Sequence, residues 1–387
     1  MTSRNLLIAL AVAAALAVAF DSHHASAAGR PNPPAATATD PVVQIALLLD
    51  TSSSMDGLIA QAKTQLWKVV NEFARARYNG KAPRVEVALY EYGNQGLSSQ
   101  SGWIRQVAPL TTDLDRISEQ LFALRTNGGD EYCGQVIQVA TRELQWSDAK
   151  GALKMIFIAG NEPFTQGPVA PDGAVKAAIA KGIVVNTVFC GGEREGISTG
   201  WKQGALLADG RYSFIDSNQV VAAVTAPQDA EIAKLGAELN ATYLAYGGDG
   251  KAKAMRQQAQ DKNAESAGMG AGVQRAMAKA SANYKNDDWD LVDAAKAGKV
   301  AVGTVSADAL PEEMRGMNEE QRKEHVAKMA TKRTELQAKI QKLEAERRTY
   351  VAAEETKRAK AAAPASIDRA MLESVHAQAA KADYAFE

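Results

Sequence analysis

Histidine is nearly absent from this chain, and its scarcity excludes more chemistry than any other feature of the composition. Of 387 residues only four are His, at positions 23, 24, 325 and 376, so none falls between residues 41 and 245. A Ser-His-Asp or Cys-His nucleophile system cannot be assembled within that stretch. A zinc centre resting on imidazole is excluded there for the same reason. Cysteine is equally sparse, with Cys133 and Cys190 the only two. Charge of either sign is not in excess: 44 basic side chains face 45 acidic ones, a net of −1, which offers no general attraction to nucleic acid or to an anionic membrane. No Gly-x-x-x-x-Gly-Lys loop is present to cradle phosphates. Beyond Phe20 no stretch is apolar enough to cross a bilayer.

What is present begins with residues 1–27, which read as a removable export signal. Arg4 supplies positive charge, Leu6 to Phe20 is an apolar segment short for a span, and Ala25-Ser26-Ala27 fits a small-residue cleavage site. Retention as an anchor is the alternative, opposed by Asp21-Ser22-His23-His24, which breaks the apolar run early. Export would permit a disulfide between Cys133 and Cys190; two buried free thiols are the other reading. Residues 28–40, rich in Pro, Ala and Thr, read as a flexible tether.

From there strand and helix patterns alternate, which predicts a doubly wound, mainly parallel α/β sheet flanked by helices. Strands are expected at Val42 to Leu49, Val85 to Tyr92, Ile104 to Pro109, Lys154 to Ala159, Ile183 to Cys190 and Arg211 to Ile215. Helices are expected at Met55 to Arg77, Leu114 to Leu124, Gly134 to Leu144, Gly173 to Lys181 and Glu231 to Asn240. The run Val42-Val43-Gln44-Ile45-Ala46-Leu47-Leu48-Leu49 has too little alternation for a half-exposed strand, so it reads as a central one, covered on both faces.

Asp50 closes that run and Thr51-Ser52-Ser53-Ser54-Met55 follows. One carboxylate and two hydroxyls, at i, i+2 and i+4, therefore stand at the carboxyl end of a buried strand, where open α/β sheets bind their ligands. These are hard oxygen donors suited to Mg²⁺ or Mn²⁺ and poorly matched to zinc or copper. Serine and threonine also favour helix N-caps and turns, which is the structural alternative.

Asp50-x-Ser52-x-Ser54 on a hydrophobic strand, with Met55 opening an amphipathic helix, resembles the metal-ion-dependent adhesion site (MIDAS) of the von Willebrand factor type A (VWA) family. The resemblance covers residues 41–245, including the order of elements. It implies a binding module that takes an acidic side chain of a protein ligand through the ion. It also implies two further loops in the site, contributing a threonine and an aspartate. Both depart from that pattern here. After Gly128-Gly129 the threonine position holds Asp130, with Thr126 the lesser stand-in, and the aspartate position holds Asn161. The implied metal shell is Asp50, Ser52, Ser54, Asp130 and Asn161, the last through its amide oxygen or a water. Asp56, Glu131 and Glu162 would form an acidic rim. The same resemblance places Cys133 and Cys190 on one upper edge of the sheet, where a bridge would pin the ligand loop.

The remainder differs in kind. Residues 251–310 form an expected helical extension, with Val300 to Val305 an isolated strand. Residues 318–360 read as a long helix or coiled coil whose seam is Val326, Met329, Leu336, Ile340, Leu343 and Tyr350, interrupted by Arg333 and Arg347. A coiled coil would imply self-association or docking of a partner. Pro364 interrupts the helix, and residues 361–387 form a tail with a last helix at Ile367 to Ala382.

Three functions from different classes fit these residues. The first is an exported binding or adhesion module, periplasmic or on a bacterial surface, with no nucleic acid partner and no membrane span after signal cleavage. The second is a metal-dependent hydrolase built on Asp50, Asp130 and Glu131, with Glu131 or Glu162 as base. The third is a structural scaffold whose ion site is relict.

Overall fold

The structure is a computed structural model and describes residues 41–216, 224–358 and 367–386. The expected export signal, the tether and the break at Pro364 lie outside the described residues. In chain order, β1 (Val42–Asp50) leads to α1 (Asp56–Ala74), β2 (Ala76–Tyr78), β3 (Arg84–Tyr92), β4 (Ile104–Thr111), α2 (Leu114–Ala123) and α3 (Cys133–Glu143). Next come β5 (Leu153–Gly160), α4 (Pro171–Ala180), β6 (Ile183–Cys190), α5 (Glu193–Ser198), α6 (Trp201–Leu206), β7 (Tyr212–Ile215) and α7 (Asp229–Asn240). The rest is α8 (Gly250–Ser266), α9 (Met269–Lys279), α10 (Leu291–Lys296), α11 (Glu319–Arg358), α12 (Ile367–Lys381) and β8 (Tyr384–Phe386).

The six-stranded sheet has the order β4-β3-β1-β5-β6-β7, with β4 alone antiparallel. β1 is buried at every residue because its two faces meet different helices. Val43, Ile45, Leu47 and Leu49 pack with Leu58, Leu66, Val70 and Phe73 of α1. Ala46 and Leu48 pack on the other side with Val136, Ile137 and Ala140 of α3 and with Ala174, Val175 and Ala178 of α4. The period-2 alternation of strand side chains thus divides one apolar run between two cores. The chain winds outward from β1 in both directions, to β3 on one side and β5 on the other, so the topological switch point is the carboxyl end of β1. Asp50 stands there.

The C-terminal helices close over the α1 side of the sheet. α9 packs on α1 and α7, α8 packs on α2, and α12 lies along α1. β8 pairs antiparallel with β2, and the Tyr384 hydroxyl donates to the Gly151 carbonyl at 2.8 Å, tying the end of the chain beneath the sheet.

Three expectations are corrected here. Val300 to Val305 is not a strand; Val302–Thr304 makes a 3₁₀ turn that packs against α11. The heptad seam does not face a second helix of its own kind. Leu336 and Ile340 are buried with Ile232, Leu235 and Leu239 of α7 and Val273 and Met277 of α9, and Val326 joins Leu244, Leu291 and Leu310. The apolar stripe of α11 is spent on its own chain, so the long-helix reading replaces the coiled coil. The third correction concerns the cysteines. Cys190 belongs to the core on the α1 face and Cys133 to the core on the α3 face. The sheet lies between them, and both thiols are free and buried.

Candidate metal site at the end of the central strand

Each loop of the site is anchored to the sheet by backbone hydrogen bonds. Thr51 N donates to the Tyr92 carbonyl at 2.8 Å, which holds the first loop to the end of β3. Asn127 N donates to the Thr51 carbonyl at 2.9 Å, and Gln95 N to the Gly128 carbonyl at 2.7 Å, drawing the loop after α2 against both. That approach requires Gly129, because a Cβ there would collide with the carbonyl of Gly93. Of the Gly-Gly pair, Gly129 is therefore the close-packing residue, while a Cβ on Gly128 would meet only ordinary contacts, the nearest Ser53 Oγ at 3.6 Å.

Asp50 is fully buried. Its Oδ1 accepts the Ser52 N–H at 2.7 Å, while its Oδ2 has no hydrogen-bond partner. Burial, aided by the charge of Glu162 and opposed by the Ser52 hydrogen bonds, pushes its carboxyl up to about 7. The Ser52 and Ser54 hydroxyl oxygens lie 3.1 Å apart, and Asn161 Nδ2 donates to Ser54 Oγ at 3.2 Å. Four of the five expected residues, Asp50, Ser52, Ser54 and Asn161, thus meet at one point, supplied by the ends of β1 and β5.

Asp130, the fifth, is exposed at the rim, and its neighbour Glu131 turns inward with only 5% of its surface accessible. Glu131 N donates to Gln166 Oε1 at 2.8 Å, and the next turn buries Cys133 at the start of α3. A Cβ built on Gly93 would lie 2.8 Å from Glu131 Cγ and 2.9 Å from Asp50 Oδ1, so the Glu131 side-chain stem and the Asp50 carboxylate flank a single glycine. Burial, then the charges of Asp50 and Glu162, push the Glu131 carboxyl up to about 8. Two adjacent acids in a loop carry no periodicity, so only the inward turn at Cys133 distinguishes them.

Behind the loop, Glu91 of β3 is buried, ion-paired with Arg105, and its Oε2 is 3.2 Å from the Thr51 hydroxyl. The Tyr92 hydroxyl donates to the Ala159 carbonyl at 3.0 Å, and Cys133 Sγ lies 3.7 Å from it. Burial raises both cysteine thiols well above their ordinary range. Sequence patterning does not single out this packing of Glu91 and Tyr92 behind the ion loop.

An oxygen-only donor set around a buried, unpartnered carboxylate oxygen fits a hard divalent cation. Among the described residues no group of three or more His, Cys, Asp or Glu side chains is disposed to hold a metal, so a cation here would have to rest on one or two carboxylates and neutral oxygens. The two described histidines are remote from the site: His376 of α12 bonds Glu72 at the far end of α1, and His325 is on α11.

Residues 44–196 match the family model of the von Willebrand factor type A domain. No curated protein matches the chain. Among solved structures, conserved hypothetical protein BatB from Bacteroides thetaiotaomicron is 19% identical, with 45% of this chain and 90% of that one covered at a TM-score of 0.34. A von Willebrand factor type A protein from Catenulispora acidiphila is 17% identical over 46% of this chain and 39% of its own, with a TM-score of 0.34. Proximal thread matrix protein 1 of the mussel byssus, in a form with a zinc-occupied MIDAS motif, is 13% identical over 45% and 42%, with a TM-score of 0.35.

Proposed function

Residues 44–196 are a von Willebrand factor type A domain, and from that premise we propose that the chain is an exported binding module that engages a protein ligand through a divalent cation, Mg²⁺ or Mn²⁺. The observation that carries the reading is Asp50 Oδ2, a fully buried carboxylate oxygen without a partner at the switch point of the sheet. A buried carboxyl oxygen left without a hydrogen bond is costly and resists ionisation, and a cation is the partner that would relieve both. Asp50, Ser52 and Ser54 would hold the ion, with Asn161 and the rim residue Asp130 contributing directly or through water. When bound, the ion supplies an electrophilic point able to take an acidic oxygen from the ligand. The chain's own residues position that point: the Ser52 N–H orients Asp50, Asn161 orients Ser54, and the glycines at 93 and 129 let the loops close.

The absence of imidazole from the domain excludes histidine-based hydrolysis, and the other reading, a metal-dependent hydrolase with Glu131 or Glu162 as base, is favoured by no further observation. No helix among the described residues is long and apolar enough to cross a membrane. A periplasmic or surface location follows in this proposal from the leader at residues 1–27. The test is titration calorimetry of the full chain with Mg²⁺ and Mn²⁺, followed by affinity capture from the native host with and without EDTA. Binding of neither ion would end the proposal.

A further inference from the structure

Resting on the cation reading above, we infer that Lys63 and Arg125 form an anion subsite beside the ion, and that the ligand is a protein segment presenting two carboxylates, one to the ion and one to this pair. Both cations are held at Phe122, near the end of α2. Lys63 Nζ lies 5.8 Å from the Phe122 ring centre, and Arg125 Nη1 donates to the Phe122 carbonyl at 3.0 Å and to the Leu124 carbonyl at 2.8 Å. Lys63 is half-buried and Arg125 exposed, and neither has an ion-pair partner among the described residues. Asp56, the acid whose charge reaches Lys63, accepts the Thr126 hydroxyl instead. Burial, then the charge of Arg125, holds the Lys63 ammonium below its ordinary range. The two cations repel each other, and an anion bound between them relieves that repulsion.

The backbone ties this pair to the first loop of the site. The Arg125 carbonyl accepts Asn94 Nδ2 at 2.9 Å, and shortly after it Asn127 N donates to the carbonyl of Thr51, the residue next to Asp50, at 2.9 Å. Asp56 opens α1 and Lys63 stands two turns further along the same helix, a rise of about 10 Å. An extended chain covers that distance in about three residues. A ligand carboxylate at the ion therefore brings the acid three positions away to Lys63 and Arg125. Charge sets the direction in which the ligand runs. Glu162 follows β5, and Asp130 and Glu131 precede α3, on the other face of the sheet from α1. Those acids repel a second carboxylate, whereas the side formed by α1 and α2 offers two cations to it. The subsite thus selects acidic segments over isolated acidic side chains.

Titration calorimetry of the full chain in Mg²⁺ at low salt tests this, with two peptides as probes: acetyl-Asp-Gly-Gly-Asp-amide and its analogue with Asn in the fourth position. Wild type is expected to bind the diacid about fivefold more tightly than the monoacid, the worth of one exposed charge pair. That preference should fade as salt rises. Lys63→Gln and Arg125→Gln should each narrow it, and the two together should abolish it. Arg125→Lys, which keeps the charge, should retain it and guards against loosening of the end of α2 in the amide variant. Equal binding of the two peptides to wild type, or a preference undiminished in the double variant, overturns this inference and leaves the cation site standing. Absence of Mg²⁺ and Mn²⁺ binding to wild type overturns both.

Discussion

Arg333 of α11 donates through Nη1 to Asp290 Oδ2 at 2.6 Å, and both side chains are buried. The guanidinium also lies 4.2 Å from the Tyr243 ring centre and donates to the Thr242 carbonyl at 2.6 Å. A residue that looks like a flaw in an apolar seam is thus the best-satisfied cation of its helix. Asp290 in turn accepts Leu244 N at 2.7 Å and caps α10 through Asp293 N at 2.9 Å. Arg333→Ala would strand that carboxylate, at a cost of about 3 to 5 kcal/mol, the range for breaking a buried pair. Urea unfolding should show it; a loss below about 1 kcal/mol, the worth of an exposed pair, would mean that water reaches Asp290.

Asp50→Ala should abolish Mg²⁺ and Mn²⁺ binding and leave the fold intact, because the lost group is a buried acid with one unpartnered oxygen. Its thermal unfolding in EDTA should match that of wild type or exceed it, since an unfavourable burial is removed. Unchanged ion affinity by calorimetry would contradict the assignment of Asp50.

Asn161→Asp adds a carboxylate beside Ser54 and should tighten cation binding. Weaker ion binding in this variant would remove residue 161 from the proposed shell.

Unfolding without reductant should release two titratable thiols, and the folded protein should react slowly with a thiol reagent. Cys133 and Cys190 are buried on opposite faces of the sheet, and burial disfavours the reactive thiolate. No free thiol after unfolding would mean that the bridge forms and the sheet edge is built differently.

A peptide spanning residues 318–360 should be only partly helical by circular dichroism. Its buried face is made of Val326, Arg333, Leu336, Ile340 and Arg347, and the partners of that face, Asp229 and Asp290 among them, lie elsewhere in the chain. Without them the helix has little packing to offset its conformational entropy. A fully helical spectrum independent of concentration would defeat this.

Read alone, the sequence determined the strands of the six-stranded sheet and the longer helices flanking them, because a strand buried on two faces and a helix buried on one leave different periodicities; the short helices α5 and α6 escaped it, and the expected first helix overran into β2. It also determined that the candidate-site loop follows β1, since an Asp-x-Ser-x-Ser segment at the end of an apolar run needs no tertiary information to be placed. Only the tertiary structure decided which of the adjacent acids Asp130 and Glu131 turns toward Asp50. A loop has no repeat to read, and its orientation is set by distant groups such as Gln166 and Gly93. The same holds for the seam of α11 and for the two cysteines. Heptad spacing specifies an apolar stripe but not what covers it, and a cysteine's position along the chain does not say which face of the sheet its side chain takes. Those outcomes depend on contacts between residues far apart in sequence, and the energy of such contacts exists only once the chain has folded.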